Sequence, residues 1–188
     1  MSNGERKTVF APITWAAGWF IVISASFLRQ IHDFIHFHKS LGPGAIKFLV
    51  IAGLALPAIF ALIYMWRRRS GLRSLLLSGV IFAALAWLSI ASGIFATVGE
   101  RVHLINFGLL GWLMCRDVYP RFGAEAIFIA LAGCAFFASA EEIFQYYLPY
   151  RTGELRDVEL GLIGASFGIA ARMTAALGER NARENVKE

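Results

Sequence analysis

Charged side chains are scarce in this chain: only 16% of its 188 residues are Asp, Glu, Lys or Arg, whereas 57% are hydrophobic. Its mean hydropathy of +0.60 excludes an ordinary soluble domain, which needs a charged surface to stay in water. The few charges lie in short clusters between long uncharged runs. This pattern is typical of membrane spans and the loops that join them.

Cysteine is also scarce, and the only two, Cys115 and Cys134, lie inside apolar runs without CxxC spacing or an adjacent histidine. These features exclude a disulfide framework and a zinc ribbon, so we expect both thiols to be free and buried. Basic residues do not alternate with aromatic ones, and we expect no nucleic-acid partner. The net charge of +5 instead reports how the chain is oriented in a membrane.

The apolar runs predict an all-α, polytopic transmembrane helical bundle of about six spans, forming a single integral membrane domain over residues 1–188. The predicted spans are 10–28, 45–66, 75–99, 102–118, 122–140 and 157–177. The first follows Arg6 and Lys7 and has no convincing cleavage site, so it is expected to stay as a signal anchor. The fourth is short and requires Arg116 to reach the membrane interface. Pro120, reinforced by Gly123, is expected to mark the turn before the fifth.

Lysine and arginine are distributed unequally between the two sides that this topology defines. The Arg67, Arg68 and Arg69 triplet lies in a short loop, where such a bias orients a membrane protein most reliably. We therefore expect both termini to be cytoplasmic and the chain to be a multi-pass protein of the cell (cytoplasmic or inner) membrane, in contact with lipid. Glu100 and Asp157 then fall on the outer side.

Polar side chains gather at the ends of spans on this outer side. Glu142 and Gln145 are three residues apart and share a helical face, whereas Glu141 points about 100° away from Glu142. We expect only one of the two glutamates to lead a site, and we choose Glu142. Since charged groups are costly in lipid, the cluster should face the bundle interior or water. The candidate functional residues are Glu100, His103, Glu142, Gln145, Arg151 and Asp157.

Simpler roles exist for individual members of this cluster. Asp157 stands at the start of the last predicted helix, where a carboxylate caps the N-terminus. His103 can hydrogen-bond to a neighbouring helix. Glu100 and His103 form an ExxH, which is half of a diiron carboxylate motif, but Glu142 to Gln145 offers an amide where the second half requires a histidine. We therefore expect no metal and no cofactor.

Three glycines of the last predicted span, Gly161, Gly164 and Gly168, lie on roughly one helical face. The last two form a GxxxG step, which lets helix backbones approach closely. We expect this face to pack within the chain, with dimerisation as the alternative use, and we expect Gly108 and Gly111 to act in the same way.

The segment ERVHLINFGLLGWL, Glu100 to Leu113, together with the later motifs ExxQ, PxR and D(x)6G, resembles the VanZ-like family of teicoplanin-resistance-associated membrane proteins. The matching residues of the later motifs are Glu142, Gln145, Pro149, Arg151, Asp157 and Gly164. The resemblance covers roughly the second half of the chain, and where the family usually has an asparagine, four residues after the final aspartate, this chain has Gly161. The resemblance implies a role at the outer face, in cell-envelope or lipid-linked glycan biology.

Three classes of function fit these observations. The first is an accessory envelope protein that binds a headgroup, a lipid-linked or cell-wall ligand, or another membrane protein, with Arg151 pairing with phosphate or carboxylate. The second is a membrane-embedded hydrolase of a lipid-linked substrate, with Glu142 or His103 as the general base. The third is a structural subunit of a larger membrane complex, in which tryptophans such as Trp112 anchor the chain at the interface.

Overall fold

A computed structural model describes residues 9–24, 63, 72–91, 98–149 and 153–184 of the chain. These residues are almost entirely helical, and none of them forms a β-strand. The helices are α1 (Pro12–Ser24), α2 (Leu72–Ala91), α3 (Val98–Phe122), α4 (Ala126–Tyr146) and α5 (Leu155–Glu184), and a short 3-10 helix (Gly123–Glu125) joins α3 to α4. The predicted all-α class is confirmed for this part of the chain.

Helices α3 and α5 form the central pair of the bundle. At their crossing, a side chain on Gly164 would overlap the carbonyl oxygen of Leu104, and one on Gly168 would overlap the carbonyl oxygen of Gly108. Further towards the start of α5, Gly161 lies against a phenylalanine ring of α3. The small-residue face of α5 therefore sets how closely the two backbones approach, within the chain.

The remaining helices surround this pair. Helix α4 packs against both α3 and α5, α2 packs mainly against α5, and α1 packs mainly against α4. Phe137 of α4 makes edge-to-face contacts with Trp15 and Trp19 of α1, with ring centroids 5.4 and 5.5 Å apart. The largest fully buried side chains are Trp112, Phe107, Phe137, Leu104, Leu110 and Met114.

The turn between α3 and α4 lies at Gly123, one of the two residues predicted to form it, and the φ of 56° there falls in the left-handed region that favours glycine. Pro120, the other, lies inside α3, which runs through it to Phe122. Its ring nitrogen cannot donate the helical hydrogen bond to the carbonyl of Arg116, and the helix ends two residues later. With 25 residues, α3 is about 37 Å long, and its length includes the charged residues Arg116 and Asp117 that follow the apolar part of the predicted span 102–118.

Within the described residues, two helical stretches are long and apolar enough, by length and composition, to cross a membrane: His103–Tyr146 and Leu155–Arg180. The first folds back at the 3-10 helix into the antiparallel pair α3 and α4. Helices α1 and α2 coincide with parts of the predicted spans 10–28 and 75–99. The predicted span 45–66 lies outside the described residues, except for Ile63.

The far end of α3, about 20 Å along the helix from His103, carries a polar contact that fixes α1. Asp117 accepts hydrogen bonds from the backbone N–H of Ala11 at 2.9 Å and from the hydroxyl of Thr14 at 2.6 Å. Its second carboxylate oxygen forms an ion pair with Arg116 at 2.6 Å. Because Ala11 directly precedes α1, the Asp117 carboxylate satisfies one of the N–H groups that a helix leaves unpaired at its start.

Candidate functional site

Five polar side chains from three helices meet where α3 begins, α4 ends and α5 begins. These residues, named here the polar cluster, are His103 of α3, Glu141, Glu142 and Gln145 of α4, and Asp157 of α5. The first four residues are buried, and the Asp157 side chain is 17% exposed. Asp157 therefore lies at the solvent-accessible edge of an otherwise enclosed site.

The imidazole ring of His103 lies between two carboxylates. Its Nδ1 is 3.4 Å from Oε2 of Glu141, and its Nε2 is 3.6 Å from Oδ2 of Asp157. The ring is stacked parallel to that of Phe107, with centroids 6.3 Å apart. A neutral imidazole carries one N–H, so only one ring nitrogen can face a carboxylate favourably. The second contact requires an additional proton or another cation.

Gln145 connects the two glutamates of α4. Its amide nitrogen donates to Oε1 of Glu142 at 3.1 Å and to Oε1 of Glu141 at 3.4 Å. Because Gln145 is only 1% exposed and lies one helical turn after both glutamates, this amide holds two carboxylates in fixed positions.

Glu142 also ties the end of α4 to the start of α5. Its Oε2 accepts a hydrogen bond of 2.8 Å from the backbone N–H of Glu154, the residue that precedes α5. The chain passes so close that a side chain on Gly153 would lie 2.7 Å from the Glu142 carbonyl oxygen. The Glu142 carboxylate thus lies at the positive end of the α5 helix dipole.

Glu141, which was set aside in favour of Glu142 as the leading residue, also lies in the site. Glu141 and Glu142 both belong to the polar cluster and are 3% and 8% exposed. Side chains that diverge by about 100° both reach it because α4 packs against α3 on one side and against α5 on another. The adjacent pair Glu141 and Glu142 was itself the sequence feature that could have predicted this. Each of two neighbouring carboxylates on an apolar helix needs a partner away from lipid.

The other predicted site residues have different outcomes. Glu100 lies in the first turn of α3, one turn before His103, but its side chain is outside what the structure describes, and Arg151 lies outside the described residues altogether. Asp157 lies within the first turn of α5, two residues after its start, and its carboxylate faces His103. The contact with the N–H before α5, expected of Asp157 as a cap, is made by Glu142.

The polar cluster is rich in hydrogen-bond acceptors and in negative charge, because three carboxyl groups surround one imidazole and one amide. Such a site can bind cations or the hydroxyl and ammonium groups of a ligand. No protein-family model, curated protein or solved structure matches this chain. The contacts of the polar cluster are therefore the basis for a functional assignment.

Proposed function

We propose that this chain is a multi-pass protein of the cell membrane, similar to the VanZ-like family, which binds a phosphorylated lipid or lipid-linked glycan headgroup in its polar cluster. The observation that carries the proposal is the burial of polar side chains from three helices at one end of an apolar bundle. Well-packed apolar residues would fill this space at a lower desolvation cost. A role in ligand binding would explain why the chain bears the higher desolvation cost of these buried polar side chains.

The outer surface of α4 supports a lipid environment. Phe128, Phe136 and Ile143 are 75%, 52% and 61% exposed, although they belong to a helix that is apolar along most of its length. In the apolar stretch of His103–Tyr146, only 28% of the residues are buried inside the protein. An exposed apolar surface of this kind is suited to contact with acyl chains.

The position of the polar cluster supports a headgroup as the ligand. It lies at the end of the bundle, where headgroups lie, and Asp157 opens it to the surroundings. Glutamate, glutamine and aspartate side chains can accept hydrogen bonds from sugar or glycerol hydroxyls, and Arg151, six residues before Asp157, would pair with phosphate. Arg116 and Arg172 lie towards the other end of α3 and α5, which favours the outer face for the polar cluster and the cytoplasm for both termini.

Binding is favoured over hydrolysis by the surroundings of His103. Each ring nitrogen faces a carboxylate, at 3.4 or 3.6 Å, so a substrate or water molecule would have to displace a carboxylate to reach the imidazole. An accessory role, in which the protein retains or presents a headgroup, fits this arrangement.

Native mass spectrometry of the purified protein tests the proposal. The delipidated protein is supplied with polyprenyl phosphate, phosphatidylglycerol or phosphatidylcholine, and the fraction of lipid-bound protein is measured. We expect polyprenyl phosphate to be retained in preference to phosphatidylcholine. Asp157→Asn should weaken the retention of phosphatidylglycerol by about tenfold, because the charged carboxylate would accept hydrogen bonds from the glycerol hydroxyls, and a hydrogen bond to a charged group contributes ~1.5–3 kcal/mol.

The matched control is Glu159→Gln, which makes the same change of charge two residues further along α5 at an exposed position. It should bind lipid as the original chain does. Equal retention of all three lipids by the original chain and by Asp157→Asn would contradict a headgroup site in the polar cluster.

A further inference from the structure

Three side chains of the polar cluster present possible metal-ligand atoms to one another. One such atom from each of His103, Glu141 and Glu142 lies within 4.8 Å of the other two, and all three residues are buried. An imidazole nitrogen and carboxylate oxygens are the donors that zinc, manganese and ferrous iron accept. Two metal–ligand bonds of ~2.1 Å separate their donors by at most about 4.2 Å, so closure around an ion requires a movement of about 1 Å.

A buried oxygen of Glu141 independently points to a missing cation. The residue is 3% exposed, yet its Oε2 has no hydrogen-bond partner among the described residues. This oxygen faces Nδ1 of His103 at 3.4 Å without the geometry of a hydrogen bond. A buried carboxylate oxygen without a donor is costly, and a metal ion placed between these two atoms would satisfy both.

The residues around this trio match the outer shell of a metal site. A histidine that binds a metal through one ring nitrogen usually directs the other towards a carboxylate, and Nε2 of His103 faces Asp157 at 3.6 Å. Carboxylate ligands are themselves held by hydrogen bonds, as Gln145 holds Glu141 and Glu142. Both outer partners are therefore in place without any rearrangement of the helices.

We infer that His103, Glu141 and Glu142 bind a divalent transition-metal ion, and that this ion binds the phosphate of the headgroup. The second half of this inference rests on the proposed function. It explains how a site lined by three carboxylates can accept an anion, since direct contact with phosphate would be repulsive. Three protein ligands leave coordination positions open for phosphate oxygens.

The inference departs from the expectation, drawn from the sequence, that the chain binds no metal. A diiron carboxylate motif requires a second ExxH, and this chain has Gln145 where the histidine would be. The adjacent glutamates of α4 provide carboxylates in a different pattern, which becomes visible only when α3 and α4 are placed side by side.

Metal titration of the purified full-length chain tests the inference. After treatment with a chelator, the protein is titrated with Mn²⁺, followed by electron paramagnetic resonance, and with Zn²⁺, followed by calorimetry and elemental analysis. We expect about one ion per chain. Glu141→Gln should weaken binding at least tenfold, about the loss that follows removal of even an outer-shell partner, whereas Glu159→Gln should not.

The outcomes separate the two proposals. If the original chain binds neither Mn²⁺ nor Zn²⁺, the metal site is refuted whether or not Glu141→Gln folds, while retention of polyprenyl phosphate by the same sample leaves the headgroup site standing. If the ion binds but chelation leaves polyprenyl phosphate retention unchanged, the link between metal and phosphate is wrong. If metal binds and no lipid is retained, the proposed function fails and the metal site stands.

Discussion

The amide of Gln145 has a stabilising role that is separate from any ligand. It is the common donor for two buried carboxylates, at 3.1 Å to Glu142 and 3.4 Å to Glu141. Without it, the Oε1 atoms of both glutamates lose a donor in a place where water does not readily replace it. Loss of one amide therefore affects the end of α4 as a whole.

We predict that Gln145→Leu lowers the free energy of unfolding by about 1–3 kcal/mol, the usual cost of leaving buried polar groups unsatisfied. Chemical unfolding in detergent, followed by circular dichroism, measures this change. Tyr146→Leu is the control, because Tyr146 is the next residue and is 75% exposed. If both variants unfold at the same denaturant concentration as the original chain, the hydrogen bonds of Gln145 do not support the site.

The surroundings of Trp112 and Glu141 were not predicted from the sequence. If the chain were a structural subunit, Trp112 was expected to serve as an interface anchor or as lipid-facing bulk, but it is fully buried between helices. The preference of tryptophan for interfaces describes its depth in a membrane and not which side of a helix meets a neighbour. Glu141 was missed for a related reason. The angle between two side chains on one helix does not show how many other helices pack around that helix.

At the scale of helices, the α3–α5 crossing positions the site. Gly164 and Gly168 allow the backbones to touch, and Asp157 lies about three turns before Gly168 on α5, opposite His103. A wider crossing would therefore move Asp157 away from the imidazole. Stability and ligand binding should both depend on these glycines.

We predict that Gly168→Ala destabilises the protein by about 1–3 kcal/mol, because its methyl group would overlap the carbonyl oxygen of Gly108. Lipid retention should fall with it. Gly79→Ala on α2 is the matched control, since a methyl group there meets nothing within 4 Å and should be neutral or stabilising. Unfolding curves of the two variants make the comparison, and a Gly168→Ala protein as stable as Gly79→Ala would refute tight packing at this crossing.

The helices were predictable to different degrees. Apolar runs predicted an all-α chain, and the spacing of Gly161, Gly164 and Gly168 predicted a packing face, because both depend on local periodicity. The turn after α3 was predicted from Pro120 and Gly123, and Gly123 makes it with a positive φ, whereas Pro120 lies within the helix. The partners of the polar side chains depend on which helices are neighbours, and a single sequence does not contain that information directly.

At the scale of the molecule, polar groups are concentrated at two ends of an apolar bundle. One end holds the polar cluster, and the other, about 20 Å away along α3, holds Asp117 with Arg116. Helix α5 also carries Arg172 and Glu179 towards that second end, as an ion pair at 3.3 Å. Such a distribution of charge would suit a membrane, and the proposed orientation would place the end with Arg116 and Arg172 in the cytoplasm.

Cysteine accessibility in spheroplasts tests most directly whether the polar cluster faces the outside. Leu155→Cys places a thiol beside the polar cluster, at a position 83% exposed, and Glu125→Cys places one in the exposed turn at the other end. The native Cys115 and Cys134 are buried, so they contribute little background. We predict that a membrane-impermeant maleimide labels Leu155→Cys in intact spheroplasts and labels Glu125→Cys only after lysis. Labelling of Glu125→Cys before lysis, with Leu155→Cys protected, would contradict an outward-facing site.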